Sequence, residues 1–228
     1  MSLLRAERLA VRLGDSEALS DVSVDISART VAVVGRNGSG KSTLARVVGG
    51  LVRPTSGEVA VLGLDVVADA RELRRRVAIV FSNPDAQIVM PTVAEDVAFS
   101  LRGERIPRGE RDERVAAALD RFGLTALADH PAHDLSGGQK QLLALCGAFV
   151  RRPGLVIADE PTAYLDGPNA RKIADHLLQT DGHRLMLVTH DLALARRCEL
   201  ALHVDRGRIA ALGPAADVVA AYEASWAC

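Results

Sequence analysis

The chain has 228 residues, of which 48% are hydrophobic and 25% are charged. This globular composition excludes disordered, collagen-like and coiled-coil architectures, and the length suffices for one or two domains with a full core. The formal net charge of −1 argues against a nucleic-acid-binding protein, which would need an excess of basic residues.

The cysteines and the hydropathy indicate a cytosolic chain. Cys146, Cys198 and Cys228 have neither the spacing of a disulfide framework nor that of a zinc site, which suits a reducing compartment. No run approaches the roughly 20 apolar residues that span a bilayer. The first eight residues mix Arg and Glu and lack the long apolar segment of a secretory signal. If the protein works at a membrane, we expect another chain to supply the membrane-spanning part.

In chain order, the first part of the sequence predicts strands around one helix. Alternating apolar and polar residues predict half-buried strands at Glu7–Leu13 and Val22–Ile26. Thr30–Val34 is a short β-branched run that ends in a glycine-rich turn, and a helical pattern over Lys41–Leu51 follows at once. After a turn that contains Pro and Gly, Glu58–Leu62 has the pattern of another strand.

The rest of the chain alternates strands with helices. Val77–Phe81 is a short buried strand, and the pattern turns helical over residues 93–129. Leu155–Ala158 and Leu185–Val188 are continuous apolar runs that are typical of parallel strands. The alternation predicts an α/β fold with a mainly parallel sheet, into which the helical block is inserted.

The phosphate loop, residues 35–42, is the strongest chemical motif. Its sequence, Gly-Arg-Asn-Gly-Ser-Gly-Lys-Ser, fits G-x-x-x-x-G-K-[S/T] and lies between a predicted strand and a predicted helix, as this motif requires. The glycines let backbone N–H groups face phosphate oxygens at the positive end of the helix. Lys41 places a compact cation on the β- and γ-phosphates, and Ser42 offers a hydroxyl to Mg²⁺. The sequence therefore predicts a nucleoside-triphosphate site.

Lysine usage draws attention to the same loop. Only three of the 28 basic residues are lysines, and Lys41 is one of them. A compact ammonium fits among backbone amides around phosphates where a planar guanidinium would be too wide. The sequence suggests no role for Lys140, and Lys172 has the pattern of an ordinary helix surface.

Carboxylates and a histidine follow two of the predicted strands. Asp159 and Glu160 end one apolar run, where a parallel sheet places its ligands. Asp159 suits the Mg²⁺ shell, and Glu160 is placed to polarise a water in line with the γ-phosphate. His190 ends the next run, and we expect it to contact the γ-phosphate or the attacking water. Either feature alone is common in structural roles, so the expectation depends on their sharing a sheet edge with the phosphate loop.

Residues 135–141, Leu-Ser-Gly-Gly-Gln-Lys-Gln, resemble the signature motif of ATP-binding-cassette (ABC) ATPases. With the phosphate loop, residues 159–166 (Asp-Glu-Pro-Thr-Ala-Tyr-Leu-Asp) and His190, this resemblance covers nearly the whole chain. It implies a single ABC ATPase domain over residues 1–228, which is a P-loop NTPase fold. Its expected parts are a RecA-like parallel-sheet core, an N-terminal antiparallel β subdomain and an α-helical subdomain inserted at about residues 83–150. The resemblance also implies Mg²⁺ as the cofactor and ATP as the substrate.

The resemblance further implies a partner and a role for each motif. In this family two nucleotide-binding domains close head to tail around two ATP, so that the signature of one meets the γ-phosphate held by the other. The partner would be a second ATPase subunit, either another copy or a paralogue, with Asp166 at the dimer seam. Glu160 and His190 are the expected catalytic residues, and Ser42 and Asp159 the expected Mg²⁺ ligands. The expected nucleotide-binding residues are Gly35, Arg36, Asn37, Gly38, Ser39, Gly40, Lys41, Ser42 and Thr43, and the signature residues are Leu135, Ser136, Gly137, Gly138 and Gln139.

A narrower match follows the strand at Val77–Phe81. Residues 80–88 (Val-Phe-Ser-Asn-Pro-Asp-Ala-Gln-Ile) and 92–99 (Thr-Val-Ala-Glu-Asp-Val-Ala-Phe) resemble the ATPases of energy-coupling-factor importers for cobalt, nickel, biotin and other vitamins. In that subfamily, this loop and the helical insert meet cytoplasmic helices of integral membrane transporter subunits. The resemblance implies a peripheral protein at the cytoplasmic face of the cell membrane, with no nucleic-acid partner. The membrane chains, and not this chain, would select the transported substrate.

Ser82 departs from the family pattern. The family has a glutamine at this place, which reaches toward Mg²⁺ and the attacking water. A serine side chain is shorter by about two bonds, so it acts through a bridging water or leaves that coordination position to solvent. We expect ATP hydrolysis to be slower, or to depend more strictly on the partner subunit, than in relatives that carry the glutamine. Gln87 matches the second glutamine of the same motif, and we do not expect it to take over the role of the glutamine that Ser82 replaces.

Leu13 is the second departure, because it falls where an aromatic side chain usually stacks on adenine. Stacking is worth on the order of 1–3 kcal/mol per base, so we expect weaker nucleotide binding or weaker base selectivity. Arg12 is a second candidate for stacking, although a solvent-facing strand arginine is the simpler interpretation.

Two other functions remain open at this point. Soluble ABC ATPases that act on ribosomes or DNA usually carry two cassettes or a long coiled-coil insertion, and this chain has neither. A nucleotide-binding regulatory subunit with weakened catalysis is suggested by Ser82 and Leu13. The complete set of phosphate-transfer motifs argues against it.

Overall fold

The structure is a computed structural model that describes residues 2–179 and 182–226. Cys228 and both ends of the predicted domain 1–228 therefore lie outside the described residues. The chain divides into two compact units. The first comprises Met1–Ile79, Gly154–Glu160 and Leu178–Cys228, and the second Val80–Pro153 and Pro161–Leu177.

The first unit contains a four-stranded antiparallel sheet. Its strand order is β2-β1-β4-β5. The predicted strands at Glu7–Leu13 and Val22–Ile26 are both longer at their N-terminal ends and form a hairpin, in which Leu13 pairs with Ser16. The strands are β1 (Leu4–Leu13), β2 (Ser16–Ile26), β4 (Ser56–Val61) and β5 (Leu64–Asp65).

A second, six-stranded sheet has the order β10-β9-β3-β8-β7-β6. Strand β3 runs parallel to both β8 and β9, β7 runs parallel to β8, and β10 is antiparallel to β9. All five residues of β3 are buried, as expected for a central parallel strand. This sheet confirms the predicted α/β fold. Its strands are β3 (Thr30–Val34), β6 (Val77–Val80), β7 (Leu155–Asp159), β8 (Arg184–Val188), β9 (Leu200–Asp205) and β10 (Arg208–Pro214).

Helix α1 (Lys41–Val48) is fixed by the core between these two sheets. Leu44 on this helix is fully buried in one hydrophobic cluster with Leu9 of the four-stranded sheet and Val33 of the six-stranded sheet. Because burial of such a side chain contributes about 1.5–3 kcal/mol, the start of α1 has a stable position at the end of β3. The other helices with residues in this unit are α2 (Ala70–Arg76), α7 (Leu192–Ala195) and α8 (Ala215–Ala224).

The second unit is helical. Its central helix, α5, has ten of its thirteen residues buried, so it forms the core of the unit. Thr92 and Ser136 each cap a following helix through a reciprocal capping box, with Glu95 and Gln139 respectively. The helices are α3 (Val93–Ser100), α4 (Arg108–Arg121), α5 (Gly137–Phe149) and α6 (Gly167–Leu178).

The predicted helical insert at about 83–150 falls in the second unit, which also takes in Pro161–Leu177. Within residues 2–179 and 182–226, no helix has the length and apolar character needed to cross a membrane.

Candidate nucleotide-binding site

The phosphate loop connects β3 to α1. Its backbone conformation and its close packing against other backbone segments explain why glycines are needed in it. Gly38 and Gly40 have φ values of 75° and 109°, which favour glycine. A Cβ atom on Gly40 would lie 2.7 Å from the carbonyl oxygen of Ala18, and one on Gly35 would lie 2.2 Å from that of Val204. Side chains at these positions would therefore push the loop away from its neighbouring strands.

Lys41 closes the loop from its C-terminal side. Its Nζ donates to the carbonyl oxygens of Gly35 and Arg36, each at 2.8 Å, and the residue is only 6% exposed. Burial lowers the pKa of Lys41, while the charges of Glu160 and Asp159 act to raise it. The ammonium group is thus held across the loop, where a phosphate oxygen can replace a backbone carbonyl as its partner.

Ser42 and Asp159 place two oxygen atoms side by side. The Ser42 hydroxyl donates to Oδ1 of Asp159 at 3.2 Å, and Asp159 ends β7. Hydroxyl and carboxylate oxygens are ligands that Mg²⁺ accepts, and Mg²⁺ usually binds through one or two protein oxygens together with substrate phosphates. The pair therefore fits the ion that the sequence implies.

Glu160 and His190 meet at the same edge of the six-stranded sheet. The backbone N–H of His190 donates to Oε2 of Glu160 at 3.2 Å, and His190 Nε2 lies 3.4 Å from Oε1. The N–H of Glu160 donates to the carbonyl oxygen of Val188 at 2.9 Å and holds Glu160 at a φ of 52°. A left-handed backbone at a non-glycine residue is a strain that often marks functional sites.

The carboxyl group of Glu160 is set up to accept a proton. Its pKa is raised, first by burial and further by the charge of Asp159, although the N–H and charge of His190 and the charge of Lys41 act to lower it. Within the part of the chain that the structure describes, Oε1 is buried and accepts no hydrogen bond. This oxygen can therefore accept a hydrogen bond from a bound water.

Lys41, Ser42, Glu160 and His190 line one cavity of about 340 Å³, and Asp159 is not among its described lining residues. Residues 37–43 form one wall, Glu160 and His190 lie at another side, and Ser16, Glu17 and Ala18 complete the lining. Sequence reasoning missed these last three residues. Leu13, at the expected adenine position, is 46% exposed and does not line the cavity in the described structure.

The signature segment lies in the second unit. Ser136 caps α5 by accepting from the N–H of Gln139 at 3.4 Å, and Oε1 of Gln139 accepts from the N–H of Ser136 at 2.8 Å. A Cβ atom on Gly138 would lie 2.7 Å from the amide carbon of Asn169. Leu135 is buried, while a Cβ atom on Gly137 would meet open space. Gly137 therefore leaves the start of the helix accessible.

Asp166 also lies in the second unit, next to the start of α6. Its side chain accepts from the N–H of Asn169 at 2.9 Å, and its carbonyl oxygen accepts from the N–H of Ala170 at 2.8 Å. Asp166 thus stabilises the beginning of the helix, which leaves its role at a dimer seam a prediction.

The family model described as "ABC transporter" matches residues 19–163, which is more than half of the chain. The chain belongs to the ABC transporter family. It is therefore an ABC ATPase, and the family match spans the phosphate loop, the signature segment and the Asp159-Glu160 pair.

Named relatives of this ABC ATPase come from transport systems. It is 39% identical to the "Biotin transport ATP-binding protein BioM" of Rhizobium etli, over 96% of this chain and 97% of BioM. It is 40% identical to the "Energy-coupling factor transporter ATP-binding protein EcfA1" of Lacticaseibacillus paracasei, over 89% of this chain and 74% of EcfA1. The solved structure of CbiO1 from Clostridium perfringens, part of the ABC transporter complex CbiONQ, superposes with a TM-score of 0.87. CbiO1 is 32% identical to this chain, and the superposition covers 98% of this chain and 92% of CbiO1.

The loop that carries Ser82 is tied to the signature helix of this ABC ATPase. Gln141 Nε2 donates to the carbonyl oxygen of Phe81 at 3.2 Å, and Lys140 Nζ lies 2.8 Å from Oδ1 of Asp85. Lys140, which had no role from sequence, thus pairs with a residue of the loop after β6. The distance of 55 residues between Lys140 and Asp85 hides this pair from sequence patterns.

Gln87 orders the same loop from within. Its Oε1 accepts from the N–H of Phe81 at 2.8 Å. The side chain thus stabilises the turn, and the expectation that Gln87 does not replace the family's glutamine stays a prediction. Ser82 itself is half-buried.

Proposed function

We propose that this ABC ATPase is the ATP-hydrolysing subunit of an energy-coupling-factor importer and drives uptake of a metal ion or vitamin through membrane partners. The observation that carries the hydrolytic part is the single cavity that Lys41, Ser42, Glu160 and His190 line together. The transport part is supported by the similarity to BioM, which is named for biotin transport, and to EcfA1, which is named for an energy-coupling-factor transporter.

Lys41, Ser42, Asp159 and Glu160 each have a role in the proposed hydrolysis. Lys41 exchanges its carbonyl partners for β- and γ-phosphate oxygens, and backbone N–H groups of the loop hold the phosphates. Ser42 and Asp159 would hold Mg²⁺, which would supply positive charge beside the phosphates. Glu160 orients a water and takes its proton while the water oxygen bonds to the γ-phosphorus. The bond to the β,γ-bridging oxygen then breaks, and ADP leaves.

His190 acts beside Glu160 in this proposal. Its backbone N–H fixes one carboxylate oxygen at 3.2 Å, so the other oxygen stays directed at the water. Its imidazole, 48% exposed, can contact the γ-phosphate. His190 thereby stabilises charge that develops on the transferred group.

The working assembly we propose is a pair of ATPase subunits at the cytoplasmic face of the membrane. Ser136 and Gly137 open α5 with free space at the glycine, and a helix N-terminus of this kind suits the γ-phosphate held by a second subunit. The second subunit is another copy or a paralogue, with Asp166 at the seam. Integral membrane subunits complete the importer.

Two experiments test this proposal against its alternatives. The chain can be expressed together with tagged membrane proteins that are encoded beside its gene, and it should then co-purify with an integral membrane subunit. Absence of any such complex would favour a soluble ABC ATPase. Purified chain should hydrolyse ATP, and Glu160→Gln should lower turnover by about 10²–10⁴-fold. If the native chain binds ATP but does not hydrolyse it, either alone or with its membrane partner, the protein is a regulatory subunit.

A further inference from the structure

The cavity that holds the phosphates has a second end with different chemistry. Lys41, Ser42, Glu160 and His190 mark the end where the γ-phosphate must lie for hydrolysis. Among the described lining residues, only Ser16–Ala18 belong neither to the phosphate loop and its helix nor to the Glu160–His190 pair. The nucleoside, which is attached to the opposite end of the triphosphate, therefore lies against this short segment.

Backbone packing sets the position of this segment relative to the phosphate loop. The carbonyl oxygen of Ala18 lies 2.7 Å from where a Cβ atom on Gly40 would stand, so the two backbones touch. The turn between β9 and β10 ties the same region together, because the N–H of Ser20 donates to the Gly207 carbonyl at 2.8 Å and the N–H of Gly207 donates to Ser39, also at 2.8 Å. Glu17 is thus one residue, or about 3.8 Å along the chain, from a backbone that touches the phosphate loop.

We propose that Glu17 is a specificity-determining residue that reads the ribose of the bound nucleotide. Its carboxylate accepts hydrogen bonds from the 2′- and 3′-hydroxyl groups, which are the donors nearest to the α-phosphate. The base lies one ring further out, beyond the reach of a residue so close to the loop. This inference rests on the proposed ATPase function, and it explains how the same site would select its nucleotide.

Leu13 and Arg12 explain why a ribose contact is needed in this chain. Leu13 presents no aromatic ring and does not line the described cavity, so adenine gains no stacking energy there. Arg12 pairs in register with Glu17 across the hairpin, which puts both side chains on the same face of the sheet.

Nucleotide binding to the full chain tests the assignment. In a Glu160→Gln background, which prevents turnover, calorimetric titration with Mg²⁺ compares ATP, 2′,3′-dideoxyATP and GTP. Because a hydrogen bond to a charged group contributes about 1.5–3 kcal/mol, loss of the hydroxyls should weaken binding by at least about tenfold. GTP, which has the same ribose, should bind within a few-fold of ATP.

Variants of Glu17 then locate the effect. Glu17→Ala should bind ATP and 2′,3′-dideoxyATP equally, while Glu17→Gln, with one neutral acceptor, should retain part of the preference. Asp15→Asn in the same hairpin, whose side chain does not line the cavity in the described structure, is the matched control and should keep the full preference. Equal thermal midpoints would show that all variants are folded.

Three results would overturn the assignment. They are a ribose preference that survives Glu17→Ala, equal binding of both ribose forms by the parent, or a strong preference for ATP over GTP with no effect of the hydroxyls. Failure of the underlying ATPase function has a different signature, because ATP would then bind no better to the parent than to a Lys41→Ala variant.

Discussion

The N–H of His190 donates to Oε2 of Glu160 at 3.2 Å, while Nε2 of the same histidine lies 3.4 Å from Oε1. The two residues follow the C-terminal ends of neighbouring parallel strands, β8 and β7, so the sheet itself brings them together. One carboxylate oxygen is fixed by the backbone, and the other, buried and without a hydrogen bond among the described residues, is left for a water. This division of roles leads to two predictions about Glu160.

Glu160→Gln should lower kcat for ATP hydrolysis by about 10²–10⁴-fold, the usual contribution of a positioned general base. ATP binding should be retained, because glutamine keeps the size of the side chain and an oxygen for the N–H of His190. Phosphate release measures the first effect and calorimetry the second. Glu58→Gln, on the exposed part of β4, is the matched control. Native-like turnover in Glu160→Gln would assign the base to another group.

The pKa of Glu160 also predicts a pH dependence of stability. Burial raises the pKa of this carboxyl in the folded chain, so ionisation disfavours folding. A protonated Glu160 therefore favours the folded state. This contribution to stability is complete below the pKa that Glu160 has in the unfolded chain, and it is lost as the pH rises through the raised pKa of the folded chain. Glu160→Gln should therefore melt at a higher temperature than the native chain near neutral pH. The difference should shrink toward about pH 4, and a difference that is independent of pH would contradict the burial argument.

The elements around this pair follow from local sequence. Thr30–Val34 has the predicted bounds, and β7 and β8 differ from their predicted runs by one residue each. Buried parallel strands read as continuous apolar runs, and their carboxyl ends share one sheet edge. The nearness of Glu160 and His190 could be expected for this reason.

Contacts between distant segments could not be predicted in the same way. Glu17 lines the cavity because Ala18 packs against Gly40, and Lys140 pairs with Asp85 across 55 residues. Neither contact leaves a periodic or compositional trace in the sequence. Each depends on how packed elements bring segments together, so Ser16–Ala18 were missed as lining residues of the cavity, whereas residues 37–43 were expected to form the site.

Ser82→Gln tests the departure from the family's glutamine. A glutamine side chain is long enough to reach a metal or water that serine contacts only through a bridging molecule. Restoring such an interaction should raise ATP turnover on the order of tenfold, the scale on which groups around a metal act. Ser56→Gln on the exposed edge of β4 is the control. An unchanged rate would show that serine at this position does not limit hydrolysis.

The ion pair between Lys140 and Asp85 should have a measurable coupling energy. Lys140 is only 17% exposed and lies 2.8 Å from Asp85, so the pair is screened less than a fully exposed one. A double-mutant cycle with alanine at both positions, measured by urea unfolding, should give about 0.5–1 kcal/mol. The pair Arg5–Glu7, at 2.7 Å but with both side chains more than half exposed, should give a smaller coupling. Equal couplings would mean that partial burial does not strengthen the Lys140 pair.

Tyr164 is expected to cost stability through its backbone. It has a φ of 64° and lies in a turn that the N–H of Leu165 closes by donating to the Thr162 carbonyl at 3.3 Å, a position that favours glycine. The left-handed conformation costs about 1–2 kcal/mol at such a residue, whereas the greater freedom of glycine in the unfolded chain costs about 0.5–1 kcal/mol. Tyr164→Gly should therefore raise the free energy of unfolding by roughly 0.5–1 kcal/mol in urea titrations.

Tyr164→Ala separates this backbone effect from any contribution of the ring. The side chain of Tyr164 is 99% exposed, so its removal alone loses no packing. Alanine keeps the left-handed cost and should change the stability by less than about 0.5 kcal/mol. If alanine and glycine stabilised the chain equally, the ring and not the backbone would be the source of the cost. If glycine destabilised it, the phenol would contribute to the fold in spite of its exposure.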